Sequence, residues 1–160
     1  MHRFYLPPER CTTNVLRLDG RETHHALNVL RLRGGEHVTV LDGVGHELFC
    51  DVEGSAHQML ALAVKEKRFT PAPPCAITLL VAIPKGKIIE SIIQKSVELG
   101  AHRIVPLLTT RVVMQLDDKG AKDKRGKWQQ VAIEAIKQCG AAWLPKIEAP
   151  QTIAQFLERE

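Results

Sequence analysis

Up to Thr70 the apolar residues come in short alternating runs, and beyond it they form one strand-sized block followed by helical stripes. Alternation at period two marks half-buried strands, and recurrence every three to four residues marks a helix face. Val15–Leu18 reads as a short strand. Asp19 with Glu22 three residues later has the form of a capping box, with Thr23 as the competing N-cap. The helix so opened runs to about Leu30, burying Ala26, Leu27 and Leu30, and Gly34-Gly35 end it. His37–Leu41 alternates as a strand, Asp42-Gly43-Val44-Gly45 is a turn, and Glu47–Val52 and Met59–Val64 supply further strands. Short strands around one small helix fit a compact barrel.

Thr70-Pro-Ala-Pro-Pro74 interrupts this rhythm, because three prolines continue neither a ladder nor a helix. The expected division is a barrel at 1–70, a linker at 71–74 and an α/β unit at 75–160. In the last of these, Ala76–Ile83 is a continuous apolar strand, the pattern of a parallel sheet covered on both faces. A helix over Lys87–Leu99 follows, with Ile88, Ile89, Ile92, Ile93 and Val97 as its stripe and Gly100 as its stop. Arg103–Leu108 is the second strand, and Lys124–Cys139 is a helix with Trp128, Val131, Ala132 and Ala135 inward. Lys146–Glu148 reads as a third strand, and Thr152 with Gln155 caps a last helix, Ile153–Arg159. Strand–helix alternation of this kind means βαβ units in a parallel sheet. Three parallel strands leave an apolar edge that something must complete, which marks the front part of a larger α/β domain.

Composition narrows the function classes. No apolar run approaches the roughly 18 residues of a membrane span, and MHRFYLPPER lacks a signal core, so a cytoplasmic protein without a membrane partner is expected. Cys11, Cys50, Cys75 and Cys139 form no CxxC and have no histidine to complete a tetrad, so no metal is expected and the thiols read as reduced and mostly buried. Net charge is +4, and all of the excess lies after residue 72, much of it in Lys119, Lys122, Lys124, Arg125 and Lys127. That run is either a solvated helix start or a nucleic-acid contact.

Within His24–Gly45 the pair Arg31-Leu-Arg33 sits at the expected helix end, where two guanidinium groups suit a phosphate backbone better than an apolar ligand. On the helix Lys87–Leu99, Glu90, Gln94 and Glu98 are spaced i, i+4, i+8 along one ridge, with Ser91 and Lys95 beside it. A helix after the first parallel strand borders the edge where open α/β sheets bind ligands. Gly43-Val-Gly45 is half of a dinucleotide fingerprint and is explained by a hairpin turn, and adjacent His24-His25 point to different helix faces rather than to one metal. No GxSxG, HExxH or Walker motif is present.

Four stretches carry a resemblance over nearly the whole chain: HRFYL, HHALNVLRLRGGEHVTVLDGVG, IIQKSVELGAHRIVPLLTTR and KWQQVAIEAIKQCG. In order and spacing they resemble the bacterial RsmE-type ribosomal RNA methyltransferases. The resemblance implies a PUA-like RNA-binding barrel followed by the first part of a SPOUT-type α/β methyltransferase domain, knotted in the family, and a homodimer. It also implies S-adenosylmethionine-dependent methylation of N3 of a uridine in 16S ribosomal RNA, with that RNA or the small ribosomal subunit as partner. Carried over residue by residue, Arg31 and Arg33, with His25 and Arg3 behind them, would contact RNA. Lys95 and Arg111 would serve catalysis, and Gln94 and Glu98 would border the site. The chain departs from the family at Lys137–Ala141, where Glu-Gln-(Ser/Cys)-x-Arg is replaced by KQCGA. The family's glycine-rich cofactor loop and its Leu-Gly-x-Arg-Ile-Leu-Arg-x-Glu-Thr-like segment would follow residue 160, so the cofactor-binding residues are expected mostly beyond it and the chain alone is expected not to turn over. The competing reading is a non-catalytic RNA-binding protein that keeps the barrel and a partial α/β scaffold.

Overall fold

The computed structural model describes residues 1–56, 59–110 and 118–159, and the chain divides into two compact units, Met1–Ala72 and Pro73–Glu160. The first unit is a five-stranded sheet curled into a half-barrel. Its strands are β1 (His2–Tyr5), β2 (Val15–Leu18), β3 (His37–Leu41), β4 (His46–Ala56) and β5 (Met59–Phe69), in the order β1-β3-β4-β5-β2. Only β1 pairs in parallel, with β3. β4 and β5 reach 11 residues each, longer than their alternation suggests, because register shifts at Phe49/Cys50 and Val52/Gly54 bend the ladder instead of ending it. Phe4, Leu16, Leu18, Val38, Val40, Leu48, Leu60 and Leu62 close the core on the concave face.

The β3–β4 turn shows how locally the chain fixes this unit. The Asp42 side chain, buried at 2% exposure, accepts hydrogen bonds from Val44 N–H (2.9 Å) and His46 N–H (3.0 Å), and pairs with His46 Nδ1 (2.6 Å). Gly43 and Gly45 supply the left-handed backbone (φ 75° and 102°) that lets both amides converge on one carboxylate.

The structure adds one strand to this unit and corrects two expectations. β1 lies in a segment where the apolar pattern marks no strand; it is too short to alternate visibly, and the parallel pairing with β3 secures it. Asp19 occupies the N-cap position of α1 (Gly20–His24) without bonding a helix amide, because its carboxylate is taken by Arg10 at 3.0 Å. The helix is not stopped by Gly34-Gly35. After α1 it widens into a π-helical turn, His25–Val29, and ends at Leu30.

In the second unit β6 (Thr78–Ala82), β7 (Arg103–Leu107) and β8 (Lys146–Ile147) form a parallel sheet in that order, connected through α2 (Ile88–Glu98) and α3 (Asp118–Cys139). α3 begins six residues before the expected start, since the Lys-rich stretch is itself helical. Ile89, Ile93, Val97, Ile104, Val105, Trp128, Ala132, Ala135, Ile136 and Ile147 are buried, whereas Ile88, expected inward, is 59% exposed. α4 (Ile153–Leu157) has the expected capping box: Gln155 N–H donates to Thr152 Oγ1 (3.2 Å), and Thr152 N–H donates to Gln155 Oε1 (2.9 Å).

The two sheet edges differ. At β8, Gln129 of α3 accepts from Ile147 N–H (3.1 Å) and donates to Pro145 O (3.2 Å), while Arg125 donates to Ile147 O (3.2 Å). Side chains of α3 thus consume the backbone groups a further strand would use. β6 is the other edge, and Leu79, Leu80 and Val81 are only half-buried there, so this apolar strand is not yet covered on both faces.

Two of the four cysteines, Cys11 and Cys50, are buried in the first unit, and Cys75 and Cys139 are exposed, which corrects the expectation of mostly buried thiols. Burial is the leading cause that pushes the Cys11 thiol up to about 11 and Cys50 up to about 12. At neutral pH a disulfide reagent is expected to titrate Cys75 and Cys139 rapidly and Cys11 and Cys50 only on unfolding. Fast reaction of all four in the native protein would contradict this packing. Among the described residues no helix is long and apolar enough to cross a membrane.

Candidate RNA-facing and transfer sites

The π-helical turn ends with Leu30 N–H donating to His25 O (2.9 Å) and Leu32 N–H donating to Ala26 O (3.0 Å). Between those residues Arg31 takes φ 56°, the single non-glycine positive φ among the described residues. The left-handed region costs an L-residue roughly 1–2 kcal/mol, which is why glycine usually closes a helix. π turns and left-handed non-glycine residues both concentrate at functional sites. Arg33 follows with its backbone N–H held by Glu36 Oε2 at 2.6 Å. Arg31 and Arg33 are both exposed, and their guanidinium groups make no ion pair among the described residues.

The other two candidate RNA contacts are not gathered at this helix end equally. His25 lies within the turn, half-buried, with its ring edge-on to Phe4 at 6.2 Å between centroids. Arg3 precedes Phe4 on β1, so strand alternation places it on the opposite sheet face from Phe4 and His25. Glu36, which the residue pattern does not single out, fixes the loop carrying Arg33; its sequence signal is a carboxylate three residues after an N–H that needs a partner.

In the second unit, Gln94, Lys95 and Glu98 converge on one turn of α2. Gln94 Nε2 donates to Glu98 Oε1 (3.2 Å), and Lys95 Nζ donates to Glu98 Oε2 (2.8 Å). The Lys95 hydrogen bond, ahead of any burial effect, holds the Glu98 carboxyl below its ordinary value. The ridge expected from spacing is split, however. Glu90 is turned to α3, where Lys127 meets it at 2.8 Å and lowers its pKa through that hydrogen bond. Glu90 therefore ties two helices together, and Lys127 is withdrawn from the basic run. Arg111 lies outside the described residues. At the departure Lys137–Ala141, Lys137 is buried and paired with Glu134 at 3.1 Å.

A curled half-barrel followed by a parallel α/β unit is the architecture of a class of RNA-modifying methyltransferases. Family comparison agrees: residues 71–160 match an RNA methyltransferase domain, and residues 18–60 match the RNA methyltransferase PUA domain. The chain belongs to the RsmE family of RNA methyltransferases. It is 35% identical to the ribosomal RNA small subunit methyltransferase E of Synechocystis over 160 residues, covering 99% of this chain and 50% of that protein. The Bacillus subtilis protein of the same name is 33% identical, covering 89% of this chain and 56% of its own length. The solved structure of the Neisseria gonorrhoeae enzyme bound to S-adenosyl methionine superposes with a TM-score of 0.88 at 29% identity, over 100% of this chain and 66% of that one. A putative methyltransferase from Legionella pneumophila with bound cofactor gives 0.88 at 30% identity, over 99% and 66%. The chain thus spans about half the length of the curated relatives it matches first.

Proposed function

We propose that the chain acts in S-adenosylmethionine-dependent methylation of N3 of a uridine in 16S ribosomal RNA, as the part that holds the RNA and supplies the first portion of the transfer domain. In this reading residues 1–70 are a PUA-like RNA-binding unit, 71–74 a linker and 75–160 the front of a SPOUT-type domain in a homodimer. The carrying observation is the exposed Arg31-Leu-Arg33 pair at a strained helix end, its guanidinium groups without an ion pair among the described residues, in a chain whose second unit matches an RNA methyltransferase domain.

The second unit bears a cleft of about 230 Å³, formed by Lys122, Gln151, Gln155 and Arg159 among others. It does not fit the cofactor. At that size it is smaller than sites that enclose a drug-sized ligand, which run to about 300–1,000 Å³, and among the described residues its lining holds no carboxylate for the ribose hydroxyls, ammonium and sulfonium of the donor. The chemistry legible in this chain concerns the uracil instead. N3 is a weakly acidic imide nitrogen, and as its proton passes to solvent negative charge develops on O2 and O4, to be discharged when N3 takes the methyl group. A fixed cation beside one of those oxygens lowers the barrier without having to reorganise. Lys95 supplies that cation, and Glu98, through its hydrogen bond to Nζ, is the positioning residue. Arg111 is the second candidate cation.

Deleting the gene in its native host is expected to remove N3-methyluridine from 16S ribosomal RNA, as read by nuclease digestion and mass spectrometry. The wild-type gene should restore it, and Lys95→Met should restore at most a few per cent. An unchanged methyl level after deletion, together with RNA binding by the purified wild-type protein, would leave a non-catalytic RNA-binding protein.

A further inference from the structure

Beyond β8 the chain runs beside the C-terminal end of β7. Gln151 forms a parallel bridge with Leu107, its N–H donates to Pro106 O (3.1 Å), and its carbonyl accepts from Leu108 N–H (2.8 Å). The C-terminal ends of parallel strands are where open α/β sheets hold ligands, and the 230 Å³ cleft opens there.

Its polar groups are of two kinds. The rim carries Lys122 of α3 and Arg159 beyond α4, both exposed, and neither side chain has a hydrogen bond or ion pair among the described residues. Gln155 adds a donor, because its oxygen is spent on Thr152 N–H (2.9 Å) and Thr152 Oγ1 (3.3 Å), leaving the NH₂ for the cleft. The rim is therefore a set of donors with two positive charges. Gln151 contributes the opposite. It is 8% exposed, and its side-chain oxygen is buried with no hydrogen-bond partner among the described residues. A buried acceptor left unmatched is uncommon and destabilising unless something donates to it. The neighbouring cations of α3 do not serve: Arg125 is engaged by Ile147 O and Lys127 by Glu90.

A ligand for this cleft needs an anionic group for the rim and, nearby, a hydroxyl or N–H for Gln151. One repeating unit of an RNA strand offers both, a phosphate and the 2′-hydroxyl that DNA lacks. We infer that the cleft is a ribose–phosphate subsite, in which Lys122, Arg159 and Gln155 take an RNA phosphate and Gln151 accepts the 2′-hydroxyl hydrogen bond. The small, open cleft suits one backbone unit with its base left outside. The inference rests on the RNA-substrate reading above, and adds where the second unit holds the strand and how it tells RNA from DNA.

The test measures binding of a short oligouridylate and of the deoxyuridylate of equal length to the whole chain by fluorescence anisotropy over a range of salt. The wild type is expected to bind RNA several-fold more tightly than DNA. Gln151→Met should bring RNA down to the DNA level, leave DNA affinity unchanged, and not lower Tm, since it removes an unmatched polar atom. Lys122→Ala with Arg159→Ala, both on exposed residues, should weaken both oligonucleotides and reduce the slope of log affinity against log salt by about 0.7, one phosphate's share on a single strand. An unchanged RNA-to-DNA ratio in Gln151→Met, or an unchanged slope in the double variant, overturns the subsite while leaving RNA binding as such intact. S-adenosylmethionine displacing the oligonucleotide from the wild type but not from the double variant also overturns it, giving the cleft to the cofactor. A wild type that binds neither oligonucleotide overturns the RNA reading itself and this inference with it.

Discussion

Trp128→Ala is expected to destabilise the second unit by roughly 3–5 kcal/mol, the usual cost of truncating a buried Trp or Phe. The indole is 2% exposed and is the largest fully buried side chain among the described residues. Removing it leaves a cavity on the buried face of α3 that the flanking Ala132 and Ala135 are too small to fill. The loss is a large fraction of the 5–15 kcal/mol by which domains are generally stable. Its consequences also extend along α3, because Gln129 and Arg125, which block the β8 edge, and Lys127, which holds Glu90 of α2, are its immediate neighbours. Urea unfolding followed by the fluorescence of Trp143, the chain's other tryptophan, gives the measurement. A change below about 1 kcal/mol, the scale of ordinary surface substitutions and mild repacking, would show that α3 is not anchored by this residue.

What the sequence makes legible follows from how local each cause is. The period-two and period-3.6 patterns place β2, α2 and α3, each with one face against its own unit's core, whereas β3 and β7 are legible as short β-branched and apolar runs buried on both faces. The Thr152–Gln155 box and the Asp42–Gly45 turn are readable because all their hydrogen-bonding partners lie within four residues. β1 is hidden, since its pairing partner is some 36 positions away in β3 and four residues are too few to show a period. The extra length of β4 and β5 is hidden for a related reason: bulges break the alternation that would otherwise mark them. On the site, the residue types at Arg31, Arg33 and α2 are visible in the chain, whereas the loss of Glu90 to Lys127 depends on α2 meeting α3 and has no local signal. The orphaned oxygen of Gln151 is likewise invisible before folding, because nothing in Ala149-Pro-Gln-Thr152 distinguishes a buried amide from an exposed one.

Arg31 is where local preference and tertiary structure conflict, and the conflict gives an expected result of opposite sign for stability and for binding. Arg31→Gly should stabilise the first unit by about 0.5–1 kcal/mol, because it relieves a left-handed conformation costing roughly 1–2 kcal/mol and loses part of that gain to the greater backbone entropy of unfolded glycine. The same substitution should weaken RNA binding, and combined with Arg33→Ala it should lower affinity about tenfold or more. The salt slope should fall by about 1.4, if each guanidinium neutralises one phosphate of a single strand. Thermal unfolding and anisotropy titration at several salt concentrations separate the two effects. The sign pattern matters because a residue kept only for packing would show the stability gain with no loss of affinity, and a residue whose backbone is unstrained would show no gain. A helix end that would be more stable with glycine, yet carries an arginine with its guanidinium in solvent, is the pattern that the proposed RNA contact explains.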